Sequence, residues 1–591
     1  MTVRGAERLV ASLEEQGLSH VFMNPGTTEL ELLRALEDCH HIEPVLVAQE
    51  LVATAAADGY ARFHGLGAVL LHLGPGFSNG AAFVHDAKRA RSPMIVIVGE
   101  HPKAHLEVDA PLNTDLVAIM APFCVALLVA DNPRTVGLVT RHAGELARSL
   151  RGPVGIIAPQ DVMASDGEGP SWPGGGDEEM GCAGNAFQTM PAPAKGRDAV
   201  GSEGTEEKSG PLTLTAQQAG VDPVLLLGSS ALSATCQWLA WRIADHLGGR
   251  VYTEVFPALM ERGRHVPLIP KLPYFPDQAR TLIGRPTMVI LVGAQEPVAY
   301  FAEENRRPQL IEEETPVVEL VLPGDPAEAV LVQWAQSLGI AGNVDGEDAM
   351  MCPTIPDATA SDDATTPRAQ AQVAGDDVDG IDQRGFADAG LSSISDEHGA
   401  ELVEAESLGA GKTLTLETLG LIFARSLQSN DVVIDEGRTS SGPMFTHCGE
   451  APPHWYLGHP GGAIGGGLGL ALGAAIATRR RVRALVADGG ALYAPQALWS
   501  MAHLGLDVGI VIAANGGYRI LRMEMMARDI MPVATQRTTF EDPLIDYIAL
   551  AAAFGVDGER ATTADELAAA LERRSRDHRP FLVVAELATE P

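Results

Sequence analysis

The sequence predicts an α/β protein made of three doubly wound parallel-sheet domains. Short, continuous apolar runs recur along the chain, and most end in glycine or a small polar residue. Stretches of helical periodicity alternate with them. Continuous apolar runs suit strands buried on both faces, as in parallel sheets, and alternation with helices is the pattern of βαβ units. The chain has 591 residues, 46% hydrophobic and 20% charged, which is enough to fill several cores.

The first block, residues 1–163, sets Leu9, Val10 and Leu13 on one helical face. Its strand ends are VFMNPG (21–26), AVLLHLGPG (68–76) and PMIVIVGE (93–100). The second block, residues 212–340, repeats the pattern with DPVLLLGSS (222–230) and TMVILVGA (287–294). The third, residues 412–591, carries DVVIDEG (431–437), VRALVADGG (482–490), VGIVIAANGG (508–517) and PFLVVAEL (580–587). Between the blocks, residues 164–211 and 341–411 lack periodicity and are rich in Gly, Ala, Ser, Pro and Asp, so they read as disordered linkers. Residues 345–406 hold 16 acids against two arginines, and residues 166–208 hold nine acids against three bases. More than half of the net charge of −35 therefore falls in the linkers.

That charge argues against a nucleic-acid partner, because such binding rests on neutralising phosphates. Six scattered cysteines without a CxxC pair argue against a zinc site or a disulfide framework. The N-terminus carries Glu7, Glu14 and Glu15 and no apolar core, so it resembles no export or transit signal, and a cytoplasmic location is expected. Residues 461–478 are uncharged and could mimic a membrane span, but seven of the 18 are glycine. They read as a buried helix, and no membrane partner is expected.

Open parallel sheets bind ligands beyond the carboxyl ends of their strands. Here those ends are residues 24–26, 72–76, 436–439, 488–490 and 515–517, so the first and third blocks should both supply functional residues. Asp488 and Asn515 each close an apolar run and each precede two glycines. A hard cation such as Mg²⁺ takes oxygen ligands and shares them with phosphate. A carboxylate, a carboxamide oxygen and a backbone carbonyl would supply three. Gly489 and Gly490 let the backbone approach a diphosphate at the start of a helix. The spacing by itself also suits two helix caps after strands.

Asp-Gly followed 27 positions later by Asn before Gly-Gly-Tyr resembles the thiamin diphosphate-binding motif of the thiamin-dependent decarboxylases and carboligases. The resemblance implies Mg²⁺ held by Asp488, Asn515 and the Gly517 carbonyl, with Gly489 and Gly490 at the diphosphate. This chain has Ala487 where that family usually has glycine, Ala514 where it has asparagine and Gly469 where it has proline. The first departure is expected to crowd the diphosphate and the last to loosen the backbone. DEGRTSSGPMF (435–445) is similar to the segment whose hydroxyls touch the diphosphate, which implies that role for Thr439 and Ser440. GGAIGGGLG (461–469) looks like the loop that puts a bulky apolar residue under the bent cofactor, a place Ile464 takes; by itself Ile464 reads as core.

The first block resembles the same family. In QELVATAAADGYAR (49–62), Glu50 stands ten residues before Tyr60, the spacing of proteins resembling acetolactate synthase and benzoylformate decarboxylase, where the glutamate activates the cofactor. A carboxyl held against the aminopyrimidine lets that ring take the C2 proton, and a partly desolvated Glu50 at the head of an apolar helix suits the task. In isolation such a glutamate is a helix-start residue. In HLGPGFSNG (72–80), the Gly-Pro-Gly and Asn79 are like acetolactate synthases, implying Asn79 at the cofactor. His72 is instead like benzoylformate decarboxylases, implying a substrate-facing proton relay, which an imidazole suits at working pH; the alternative is a structural histidine. NPGTTELELL (24–33) resembles the decarboxylases too, with Thr27 and Thr28 as candidates for holding the substrate carboxylate.

The middle block resembles the family's central domain, which binds FAD in true acetolactate synthases. LLLGSSALS lacks a G-x-G-x-x-G fingerprint, so FAD is possible but unsupported. The expected function is a Mg²⁺- and thiamin diphosphate-dependent decarboxylation of a small-molecule 2-oxo acid with carboligation of the aldehyde unit, as in acetolactate synthase. The alternative is a benzoylformate decarboxylase-like enzyme that releases the aldehyde. A third reading is a catalytically silent binding protein of the same fold. The resemblance implies a homodimer or homotetramer with the site at a subunit interface, because Glu50 and the diphosphate site lie in different domains. The acyl donor and acceptor are not legible.

Overall fold

The computed structural model describes residues 3–167, 222–301, 306–340, 413–528, 537–540 and 542–588. The expected linkers at 164–211 and 341–411 lie outside the described residues, apart from residues 164–167.

Three sheets carry the chain. The first is built from β1 (His20–Asn24), β2 (Glu43–Leu46), β3 (Gly67–Leu71), β4 (Met94–Glu100), β5 (Ala126–Val129) and β6 (Pro153–Pro159). Its order is β2-β1-β3-β4-β6-β5, and every pairing is parallel. β3, β4 and β6 are buried along their whole length, as continuous apolar runs require. The central sheet uses β7 (Val224–Leu227) and β8 (Arg250–Thr253), and later two more strands. Between them the chain leaves it to form β9 (Met260–Arg262), then returns as β10 (Val289–Val292) and β11 (Val317–Val321). The central order is β11-β10-β7-β8, all parallel.

The third sheet takes β12 (Val432–Glu436), β13 (His454–Leu457), β14 (Val482–Ala487), β15 (Val508–Ala514), β16 (Asp557–Ala561) and β17 (Phe581–Glu586). Its order is β16-β17-β15-β14-β12-β13-β9. All pairings in it are parallel except the last, where β9 runs antiparallel to β13. The sequence pattern gave no sign of this loan from the central segment. β9 is only Met-Glu-Arg, yet all three residues are buried. Arg262 donates to the Phe445 carbonyl at 3.0 Å, and its guanidinium lies 3.8 Å from the Phe445 ring centroid.

Three helices position the site. α1 (Glu50–His64) and α2 (Leu73–Ala90) follow β2 and β3, and α3 (Gly467–Thr478) precedes β14. α3 is the buried helix expected within residues 461–478. Among the described residues, no helix is long and apolar enough to cross a membrane. Its glycines serve close packing on α1: a Cβ on Gly473 would lie 1.9 Å from the Ala56 carbonyl oxygen, and one on Gly469 2.5 Å from the Ala55 methyl. Glycine at 469 therefore allows close contact between two helices, where a larger residue would not fit without a shift.

Arg62, the last residue of the Asp-Gly-Tyr-Ala-Arg run, ties the three sheets together. Its Nε and Nη2 bond Asp58 at 3.0 and 2.6 Å, and Nη2 reaches Asp86 on α2 at 3.2 Å. Nη1 donates to the carbonyls of Ala258, in the central segment, and Gly458, beyond β13, at 2.9 and 2.7 Å. Asp86 also accepts from the Gly461 amide at 2.8 Å. Burial raises the Asp86 carboxyl to about 7, against the opposing guanidinium, because two carboxylates share that one cation.

Candidate active site

At the carboxyl end of β14, Asp488 begins a one-turn helix and is 3% exposed. Its Oδ1 accepts from the Gly489 amide at 2.8 Å. Its Oδ2 accepts from the amides of Asn515 and Gly517 at 3.0 and 3.2 Å. Two strand ends 27 residues apart are thus joined through one carboxylate. Burial raises its pKa, and these amides oppose the rise by favouring the charged form. Gly517 sits at φ +155°, and a Cβ there would lie 2.1 Å from the Thr538 carbonyl oxygen, so the turn demands glycine. The Asn515 Oδ1 accepts from Arg522 Nη2 at 3.3 Å.

Ala487 has φ −69° and ψ 149°, an extended conformation open to any residue, so alanine in place of glycine brings no backbone strain. Ala514 lies within β15, and its carbonyl accepts from Leu587 at 2.9 Å.

β12 ends on Glu436, which is fully buried. Its carboxylate accepts from the amides of Gly465 and Gly467, at 2.7 Å for the latter, and so clamps the loop carrying Ile464 against the strand end. Burial raises its pKa. Ile464 is half-buried, as is Thr439. Ser440 is fully buried, and its hydroxyl has no hydrogen-bond partner among the described residues. An orphaned buried hydroxyl is costly unless a ligand acceptor completes it. Gly490 packs closely beside the Glu436 carboxyl, where a Cβ would lie 3.2 Å from its carboxyl carbon. The oxygen donors here fit a metal and a diphosphate: the Asp488 carboxylate, the Asn515 carboxamide oxygen, the Gly517 carbonyl and the unpartnered Ser440 hydroxyl.

The N-terminal sheet presents a second cluster. Glu50 is the first residue of α1, half-buried rather than enclosed. Gln49 caps the helix by accepting from the Val52 amide at 3.1 Å. Asn79, on α2, donates to Glu50 Oε2 at 3.3 Å. His72 directly follows β3, and the next residue, Leu73, sits at φ +52°. The Nδ1 of His72 lies 2.9 Å from Glu29 Oε2 and 3.0 Å from Thr28 Oγ1. Thr28 in turn donates to Glu29. Glu29 is fully buried and also accepts from the Gly26 amide at 2.7 Å. A carboxylate on Nδ1 fixes the proton there, leaving Nε2 as the free ring nitrogen. Thr27 is exposed and outside this cluster.

Sequence reading missed Glu29, Glu436 and Arg62 as organising groups. The signal for Glu29 was faint: an acid at a helix start reads as a dipole partner, and only Gly99, where a Cβ would collide with the Glu29 carboxylate, hints otherwise. Among the described residues, no hydrogen bond or ion pair connects the Glu50–His72 cluster to the Asp488–Asn515 cluster of the same chain.

Residues 3–119 match the model of the thiamine pyrophosphate enzyme N-terminal TPP binding domain, and residues 440–585 that of the C-terminal TPP binding domain. A Mycobacterium tuberculosis protein named "Putative acetolactate synthase large subunit IlvX" is 31% identical over 587 residues, 98% of each chain. A benzoylformate decarboxylase of Pseudomonas aeruginosa is 25% identical over 584 residues, 97% of this chain and 96% of that one. Among solved structures, a thiamine diphosphate-dependent 4-hydroxybenzoylformate decarboxylase of Rhodococcus jostii RHA1 superposes with a TM-score of 0.69 at 20% identity, covering all of both chains. On these matches and this fold, the chain belongs to the thiamine pyrophosphate enzyme family, related to acetolactate synthase and benzoylformate decarboxylase.

Proposed function

We propose that this enzyme uses thiamin diphosphate and Mg²⁺ to decarboxylate a 2-oxo acid and then protonates and releases the aldehyde unit. The observation that carries this reading is the buried Glu29 carboxylate on His72 Nδ1. It holds the imidazole in one orientation with Nε2 available to carry a proton at the reacting carbon. Thiamin diphosphate, when bound, supplies the electron sink for carbon–carbon cleavage. Asp488, Asn515 and the Gly517 carbonyl would hold the metal; Ser440, Thr439, Gly489 and Gly490 would receive the diphosphate; Ile464 would support the cofactor from below. Glu50, steadied by Asn79, would face the aminopyrimidine.

A second reading is ligation of the aldehyde unit to a further carbonyl compound, supported by full-length similarity to the acetolactate synthase-type relative. Both readings favour a homodimer as the minimum unit. Their support is that, among the described residues, no hydrogen bond or ion pair joins the Glu50 cluster to the Asp488 cluster of one chain, so a second copy would complete each site. Incubation with a panel of 2-oxo acids, Mg²⁺ and thiamin diphosphate separates the readings. Free aldehyde supports release, a hydroxy-ketone product supports ligation, and turnover of none with the cofactor bound overturns both.

A further inference from the structure

The strained backbone of the site points to its substrate. Besides Leu73, one other site residue without the freedom of glycine has positive φ: Arg438, at +53°, directly after the β12 strand end. Such conformations cost energy and persist where the surroundings enforce them. Here the strain aims a guanidinium. Arg438 Nη2 donates to the Ala463 carbonyl at 2.7 Å, the residue before Ile464. The guanidinium carbon stands 5.9 Å from the centre of the Phe256 ring. Phe256 belongs to a group of aromatic rings from the central segment, 5.6 Å from Tyr300, which lies 5.3 Å from Tyr274. Tyr300 is 43% exposed, so the group opens outward.

Arg438 is half-buried in a chain of net charge −35; its charge acts on the buried Glu436 and Asp86 carboxyls, but among the described residues it forms no ion pair or hydrogen bond with a carboxylate. The nearby Glu436 is committed to the amides of Gly465 and Gly467. The Nε and Nη1 donors of Arg438 remain for a ligand. Its observed contacts are the Ala463 carbonyl and the Phe256 ring of the central segment. With Nη2 on the Ala463 carbonyl, Nε and Nη1 point in different directions, and each can donate a charge-assisted hydrogen bond to a carboxylate oxygen.

Resting on the proposed decarboxylation, we propose that Arg438 recognises a second carboxylate on the substrate, so that this site takes a dicarboxylic 2-oxo acid. Phe256, Tyr274 and Tyr300 flank the carbon chain between the two acid groups.

The test compares 2-oxopentanedioate with 2-oxopentanoate, which share carbon count and differ in the terminal carboxylate, using the full chain with Mg²⁺ and thiamin diphosphate. The native enzyme is expected to prefer the diacid in kcat/KM by roughly 30-fold, the scale of charge-assisted hydrogen bonds. Arg438→Met should erase most of that ratio and Arg438→Lys only part of it. Equal ratios in native and Arg438→Met enzyme overturn the proposal. So does a loss in Arg438→Met confined to thiamin diphosphate affinity, which would assign the arginine to the cofactor. Unreactive glutarate and pentanoate keep the test independent of turnover. If neither 2-oxo acid reacts, the decarboxylation reading is decided by the wider panel, while glutarate raising Tm in the native protein and not in Arg438→Met still supports anion recognition. Equal shifts for glutarate and pentanoate overturn it.

Discussion

The two strand-end clusters of this chain are built by different means. At β14 and β15, backbone does most of the work: one carboxylate gathers three amides, and glycines shape the turn. At β1 and β3, side chains do it: Glu29, Thr28 and His72 hold one another, and Asn79 holds Glu50. A backbone-built site should fail by losing its ligand or its fold. A side chain-built site should lose its chemistry while the fold survives. Substitutions can break or sharpen that contrast.

The largest effect is expected at Glu50. Glu50→Gln keeps shape and removes the ionisable group, so kcat should fall roughly 1000-fold with circular dichroism and Tm unchanged. Full activity in that variant would remove Glu50 from the mechanism. Gly517→Ala is the opposite type. With a Cβ driven toward the Thr538 carbonyl at φ +155°, it should destabilise by about 2–4 kcal/mol and weaken cofactor binding together. Denaturant unfolding reads the first and a titration the second.

Glu29→Gln should lower kcat about 10- to 100-fold at little cost in KM, since it disturbs the orientation of His72 and not a binding contact. Steady-state kinetics with a matched Tm would show it. The smallest effect concerns the tie around Arg62. The Asp86 carboxyl is near 3.8 when unfolded and is raised to about 7 in the fold. Its folded form therefore holds a proton that the unfolded chain releases. That contribution is full below about pH 4 and fades as pH rises through about 7. Asp86→Asn should flatten stability against pH between those limits, as seen in Tm measured across the range.

Much of the architecture was legible because its elements are locally encoded. The apolar runs that became β3, β4, β14, β15 and β17 carry their own signature, and the site's glycine pairs mark strand ends. β9 could not be read, because three residues have no periodicity and its partner β13 lies almost 200 residues onward. β16 could not be read either, since its sequence is Asp-Gly-Glu-Arg-Ala and only Ala561 is buried. In the site, Asp488 and Asn515 were visible from spacing, whereas Glu29 and Arg62 were not. Their partners come from distant elements: His72 is 43 residues from Glu29, and the Gly458 carbonyl is 396 residues from Arg62. The close packing at Gly469 was not legible for the same reason, as its neighbour is a helix more than 400 residues earlier in the chain.

Thermal unfolding with and without Mg²⁺ and thiamin diphosphate tests the backbone-built cluster most directly. Ligand at about 100 times Kd should stabilise the native chain by about 2.7 kcal/mol, seen as a raised Tm. Asp488→Asn should remove that rise and Glu50→Gln should keep most of it. An equal rise in the native chain and in Asp488→Asn would contradict the assignment of metal and diphosphate to the ends of β14 and β15.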